Sequence, residues 1–508
     1  MMFRFAHRNL LQSRIAFPTI PNNPASTSSG IIPSKTSGDI SSVFPSLSGS
    51  SPEPLPPRFA TVKKRLIHGH EVQVRDSWKR LLDALQKRRE EIKTKGSSIV
   101  PEINFCNLND VEKRTEFRDA LHQTGVAVIR GVVEGKEALG WKELVKRYIA
   151  SNPGVKGFPP NNPAVYELYW SPSQILARAH PNVLRAQCFL MSHWHSALGS
   201  SDTKHFISTS HPLSYADRLR IRQPGDSSFA LGPHVDGGSC ERWEPTGYGL
   251  GGVYNCIFEG NWEKYTPWEM TCRIPVKSDV YNGPGGCSMY RMFQGWVAMS
   301  EIGRGHGHLK VCPMIKEATA YMLLRPFFAP SRTPDDPQYL DVANWRLEDP
   351  VSSSLQGAVP SNGQELNAEL HPHLALDDTM VHVPDVRPGD YVAWHCDSIH
   401  AVDSIHTGAS DSSVLYIPAC PLTEANAEYL ARQRETFAEG IPAPDFPSGE
   451  GESQYRGRLT PEYVMKNISL QAQRAMGLAA FDVRQHELFD RERETLQMAN
   501  QILGFGKA

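Results

Sequence analysis

Apolar residues recur along this chain with two different periods, and the change from one to the other divides it. In "VRDSWKRLLDALQKRREEIKTKG", Trp78, Leu81, Leu82 and Leu85 stand at i, i+3, i+4 and i+7. That spacing predicts an amphipathic helix, with Gly96 as its stop. "TGVAVIRGVV" (124–133) is instead a compact run of β-branched residues and predicts a strand. Residues 134–200 read as largely helical, with a Pro/Asn break at "GFPPNNPAVY". After about residue 205 short apolar segments alternate with Gly, Pro and Asp, the pattern of an all-β unit. "RLRIRQPGD", "FALGPHVDGG", "MYRMFQGWVAMSEIG", "GHLKVCP", "GDYVAWHCDSIHAV" and finally "SSVLYIPAC" (412–420) are its candidate strands. Helical signals return at the end: Thr423 is placed as an N-cap with Gly440 as a stop, and Thr460-Pro461 opens a further helix.

These elements predict a mainly β fold with helical additions: a β-sandwich or barrel flanked by N- and C-terminal helices. The expected organisation is an arm over 1–60, a helical part with a first strand over 61–204, a β core over 205–420, and a helical extension over 421–508. Two insertions interrupt the core, an aromatic-rich one at 241–287 and a polar one at 330–370. The aromatic insertion reads equally as a pocket wall or as core filler.

Composition narrows the function classes. The chain has 508 residues, of which 40% are hydrophobic and 21% charged, with a formal net charge of −2. Near balance removes the electrostatic reason to expect nucleic acid, and no apolar run is long enough for a bilayer. The nine cysteines are scattered singly with no C-x-x-C pair, which predicts reduced thiols and an intracellular compartment. The start, "MMFRFAHRNLLQSRIAF", carries three arginines, and no acidic residue precedes Asp39. It reads either as a mitochondrial transit peptide or as a disordered tail of a cytoplasmic protein.

The chemistry centres on "LGPHVDGGSCERW" (231–243). In a strand, His234 and Asp236 point to one face and can share an ion. Gly237 and Gly238 then let the backbone turn past it. Two histidines and one carboxylate on one face, with open positions opposite, is the arrangement of non-haem Fe(II) oxygenases. The second histidine must come from far along the chain, and "VRPGDYVAWHCDSIHAV" offers His395 and His400.

His234-x-Asp236 with distal His400 inside "PGDYVAWHCDSIHAV" resembles the 2-oxoglutarate-dependent non-haem iron dioxygenases, in particular the phytanoyl-CoA hydroxylase branch. From about 65 to 505 the chain resembles the YbiU-like family of uncharacterised proteins, on "LGPHVDGGSCERWE", "YRMFQGWVAMSEIG" and "LKVCPMIKEATAYMLLRPFF". The resemblance implies a double-stranded β-helix, or jelly roll, with Fe(II) held by His234, Asp236 and His400. It also implies 2-oxoglutarate as cosubstrate, O2, and a small-molecule substrate, with neither nucleic acid nor membrane as partner.

One feature departs from that pattern. The resemblance leads one to expect an Arg or Lys shortly after the distal histidine to hold the far carboxylate of 2-oxoglutarate, and 401–420 contains neither. Arg291, Lys310 and Arg242 are the candidate replacements, and Ser412 and Ser413 offer hydrogen bonds without charge. His395 and Trp243 are expected beside the site, as residues supporting the ligands or touching substrate. Two other classes stay open: a cupin-like metalloenzyme that does not use 2-oxoglutarate, and a non-catalytic jelly-roll binding protein.

Overall fold

The run Val126–Ile129 contains no polar position because it lies inside a sheet covered on both faces. A computed structural model describes residues 35, 40–49, 53–196, 206–228, 230–283, 286–485 and 488–506. The Arg-rich start, read above as transit peptide or tail, lies outside the described residues. Among them no helix is long and apolar enough to cross a membrane.

Eight strands form the larger sheet, in the order Glu102–Asn104, Val126–Arg130, Tyr391–His395, Phe293–Ala298, Ser412–Tyr416, Leu219–Arg222, Val165–Tyr166 and Gly157–Phe158. The first pair is parallel and the others antiparallel. Five shorter strands form a second, antiparallel sheet: Gln364–Glu365, His234–Val235, His400–Val402, Leu309–Val311 and Val381–His382.

Alternation along each strand distributes side chains between two cores. Val126, Val128, Trp296, Val392, Trp394 and Val414 share one apolar cluster with Val235, Leu309, Val311 and Ala401 of the smaller sheet. Their neighbours Ala127, Ile129, Val297, Ala393 and Leu415 join the other cluster. There they meet the helices Val111–Thr124, Gly135–Ser151 and Pro181–Met191 through residues such as Leu121, Trp141 and Val183. The large sheet is thus a middle layer between helices and the small sheet, and Val126–Ile129 reads as an unbroken apolar run for that reason.

The predicted N-terminal helix spans Glu71–Lys95 and ends at Gly96, whose φ is 52°. Its Trp78 stacks on Phe328 at 4.3 Å. Thr423 caps Glu424–Glu439, which stops at Gly440, and Thr460 caps Pro461–Asn467. The segment expected as one last strand over 412–420 serves two ladders: it stays hydrogen-bonded to Phe293–Ala298 as far as Ala419, and Cys420–Thr423 pairs with Ile207–Leu213 in a separate two-stranded ladder. Residues 40–49 and 53–60, counted from sequence in the arm, are also placed against the body, with Ile40, Phe44 and Phe59 buried.

Candidate metal centre

His234 and His400 are direct partners across an antiparallel pair of the small sheet, so two residues 166 positions apart come to lie side by side. Asp236 follows His234 by two residues, just beyond the strand end. The His400 Nε2 lies 3.3 Å from Asp236 Oδ2, and the His234 Nε2 lies 3.8 Å from Oδ1. One ligand atom from each residue falls within 4.8 Å of the others.

Both imidazoles are held from behind. The His234 Nδ1 is 2.7 Å from the carbonyl of Gly232, and the His400 Nδ1 is 3.0 Å from that of Ser398. A carbonyl only accepts, so each Nδ1 carries the proton and each Nε2 presents its lone pair toward Asp236. Burial, helped by His400 nearby, lowers the His234 pKa to about 4. Burial would raise the Asp236 carboxyl, but His400 and His234 beside it, with the Arg291 charge further off, carry it below the usual carboxylate range. Near neutrality the centre is therefore a neutral His234 with a carboxylate, the protonation states a divalent ion requires.

The loop after the pair is built around glycine. Gly238 has a φ of +95°, and a Cβ there would lie 2.7 Å from the Ser278 carbonyl. Arg242 braces the same loop, donating to the carbonyls of Gly238 and, at 2.7 Å, of Asp236. Its Nη2 also lies 3.8 Å from Asp397. Asp397 accepts from Arg273 at 2.6 Å and from Tyr254 at 3.0 Å, with the Tyr265 hydroxyl at 3.4 Å. This buried hub ties the loop behind Asp236 to the loop that precedes His400.

A cavity opens between the sheets at His234, Asp236 and His400. The large sheet lines it with Arg220, Gln294, Trp296, Trp394 and Tyr416. The Trp394 ring is 5.0 Å from that of His400. Arg291 lines the cavity too, with its guanidinium 5.7 Å from the Tyr215 ring.

The remaining sequence candidates lie elsewhere. Arg242 supports backbone, as described. Lys310 sits between Leu309, which lines the cavity, and Val311, so alternation turns it to the other face of the small sheet. Ser412 pairs with Arg222 in the ladder, and Ser413 donates to Asp411; neither lines the cavity. His395 faces away from Trp394, stacked on Trp194 at 4.7 Å. Its Nε2 donates to the Pro267 carbonyl and its Nδ1 accepts from the Asp397 N–H, so no ring nitrogen is left for an ion. Trp243 fills the core, with its indole N–H on the Leu323 carbonyl. Trp262 lies in that same core and Trp268 in the helix-side one.

Arg220 was not among the sequence candidates, yet it pairs with Val414 in register. It thereby brings a cation next to the strand where 401–420 supplies none. Arg220 is 3% exposed; its Nη2 donates to the Gly307 carbonyl at 3.3 Å, and its Nε has no partner among the described residues. Burial, with Arg222 adding to it, lowers its pKa. Arg222, by contrast, is saturated by Asp226 and the carbonyls of Asp403 and Ser404. The signal was in "RLRIR", where Arg220 and Arg222 alternate with apolar residues on a buried strand and each must find an acceptor.

The chain is 30% identical to the uncharacterised protein YbiU of Escherichia coli K12, over 84% of this chain and 97% of that protein. The solved structure of the GlcNAc-inducible gene 2 product of Candida albicans shares 31% identity with a TM-score of 0.78, over 90% of this chain and 97% of that one. A Salmonella typhimurium LT2 structure, provisionally designated an oxidoreductase, shares 28% identity with a TM-score of 0.69, over 84% and 99%. The Gig2-like family model matches residues 53–478, and this chain belongs to the Gig2-like family.

Proposed function

We propose that this protein is a non-haem Fe(II) oxygenase that uses 2-oxoglutarate and O2 to oxidise a small molecule, with its two main sheets as the halves of a jelly roll. One observation carries the reading: both histidines are fixed through Nδ1, leaving two lone pairs and a carboxylate converging on one point. Two histidines and a carboxylate suit Fe(II) and leave open positions for exchangeable ligands. The provisional designation of the Salmonella relative agrees in reaction class.

Bound Fe(II) would supply O2 activation coupled to oxidative decarboxylation of 2-oxoglutarate, giving succinate, CO2 and one oxygen atom for the substrate. The chain's own residues bind, orient and shield. His234, Asp236 and His400 hold the ion on the small sheet. Arg220, a buried cation without a carboxylate partner among the described residues, meets the far carboxylate of 2-oxoglutarate; a charge-assisted pair of this kind is about twice as strong as a neutral hydrogen bond. Arg291 adds positive potential at the cavity, and its charge favours ionised Asp236. Trp296 and Trp394 keep the wall apolar, which limits water at the reacting centre. The missing basic residue in 401–420 favoured a cupin-like alternative, and Arg220 from the adjoining strand offsets it.

Anaerobic equilibrium dialysis tests this division of labour. Wild type should hold one Fe(II) per chain, and His400→Ala should lose it. Arg220→Met should keep the metal but bind 2-oxoglutarate roughly 10- to 100-fold more weakly, as for loss of a hydrogen bond to a charged group. Fe(II) retained by His400→Ala, or 2-oxoglutarate affinity unchanged in Arg220→Met, would contradict the proposal.

A further inference from the structure

Phe44 lies against the metal-centre histidine, although it belongs to a stretch that precedes the family match at residue 53. Its ring stands edge-on to His234, with centroids 4.9 Å apart, and it is 4% exposed. Ile40 and Phe44 form a small cluster with Val165 of the large sheet, Val402 of the small one and Leu231. This cluster bridges the two sheets where the cavity opens, and Ile40, Val43 and Phe44 line that cavity.

The seat is specific. Gly363 donates its N–H to the Val43 carbonyl at 2.9 Å, and the Asn362 side chain donates to the Ser42 carbonyl at 3.0 Å. The Ser46 N–H is 3.1 Å from Glu365, which pairs with His234 in the sheet. A Cβ at position 363 would lie 2.5 Å from the Phe44 ring, so the glycine leaves the space the ring fills. Polar residues of the 330–370 insertion thus fasten this stretch, and its apolar residues face inward. Nothing in the catalytic reading needs such a seat.

We propose that Ile40–Leu47 is a strap that closes the mouth of the metal site, and that Phe44 must move aside for molecules to reach His234 from that side. A site that activates O2 gains from a removable cover, because water and stray reductants are excluded until substrate is bound. The gating role rests on the metal-centre reading above; the covering role does not.

The experiment uses the full-length chain in two variants, Phe44→Ala, which removes the ring, and Gly363→Val, which unseats it without altering the strap. Metal-free proteins are treated with diethylpyrocarbonate, and labelling of His234 is followed by peptide mass spectrometry. The strap predicts slow labelling in wild type and at least a roughly 10-fold faster rate in both variants, as for release of a cover that excludes the reagent in most molecules. Equal rates in all three proteins would overturn the cover. The Fe(II) forms are then stripped with 2,2′-bipyridine, and release should accelerate in both variants. Faster labelling with unchanged release would overturn the gate and leave only a cover. If none of the three proteins binds Fe(II), the metal-centre reading fails, while the labelling rates still decide the strap.

Discussion

Replacing Asp397 with Asn should destabilise this protein more than any surface charge change, because among the described residues its carboxylate is the only anion in the hub it organises. Arg273, whose side chain is 2% exposed, lies 2.6 Å from it, and Arg242, fully buried, lies 3.8 Å away. Asparagine keeps the volume but leaves two buried guanidinium groups without an opposing charge. Breaking a buried pair by removing one partner costs about 3–5 kcal/mol, whereas an exposed pair is worth about 0–1 kcal/mol. The sign with pH follows from the carboxyl. Burial opposes its ionisation, but Arg273, with His395 and Arg242, lowers its pKa below the usual carboxylate range. Its contribution is present above the unfolded value of about 3.9 and is lost as pH falls through the lower folded value. Urea unfolding at pH 7 should show a loss of about 3–5 kcal/mol for Asp397→Asn, partly restored when Arg273→Met is added, since the stranded charge is then removed. A loss under about 1 kcal/mol, the range of a surface pair, would refute the hub.

Other outcomes follow from the same geometry. His371 and His395 are fully buried, and burial lowers both to about 3, so between about pH 6.5 and 3 the unfolded chain binds more protons than the folded one. Stability should fall on acidification through that window, by about 2 kcal/mol per histidine at pH 5; a urea midpoint that stays flat from pH 7.5 to 5 would contradict it. Gly238→Ala combines a φ of +95° with a Cβ 2.7 Å from the Ser278 carbonyl. It should lower stability by about 1–3 kcal/mol and weaken metal binding, as read by thermal unfolding and metal analysis; an unchanged melting temperature would contradict it. Co(II) at 100 times its dissociation constant should stabilise wild type by about 2.7 kcal/mol, and His234→Ala should not respond. An equal shift in both proteins would argue for binding elsewhere.

The elements that showed in the sequence were those whose signals are local. The helix Glu71–Lys95 and the caps at Thr423 and Thr460 depend on periodicity and on single residues at the ends. His234 and Asp236 stood out because two positions in a strand share a face, and His400 because a resemblance singled it out from His395. What did not show depends on partners distant in sequence. Arg220 becomes interesting only once Leu219–Arg222 is known to lie beside Ser412–Tyr416. Arg242, three residues from the loop glycines' neighbour Ser239, looked like an anion grip and serves backbone carbonyls instead. Lys310 lost its place to alternation, one residue from a cavity wall. The aromatic insertion was open between lid and core; Trp243, Trp262 and Trp268 settle in cores because apolar faces of helices and sheets surround them. Phe44 was hidden in a Ser/Pro-rich tract that composition alone reads as unfolded.

The central claim is that three residues hold Fe(II) with positions left for 2-oxoglutarate. Its most direct test is an anaerobic titration of metal-free protein with Fe(II) and then 2-oxoglutarate, watched for the weak visible charge-transfer band of the chelate. The account predicts a band in wild type that saturates at one 2-oxoglutarate per iron and is absent from His234→Ala and His400→Ala. Iron bound without a band would remove the cosubstrate from the account, and a band that survives either substitution would place the iron on other ligands.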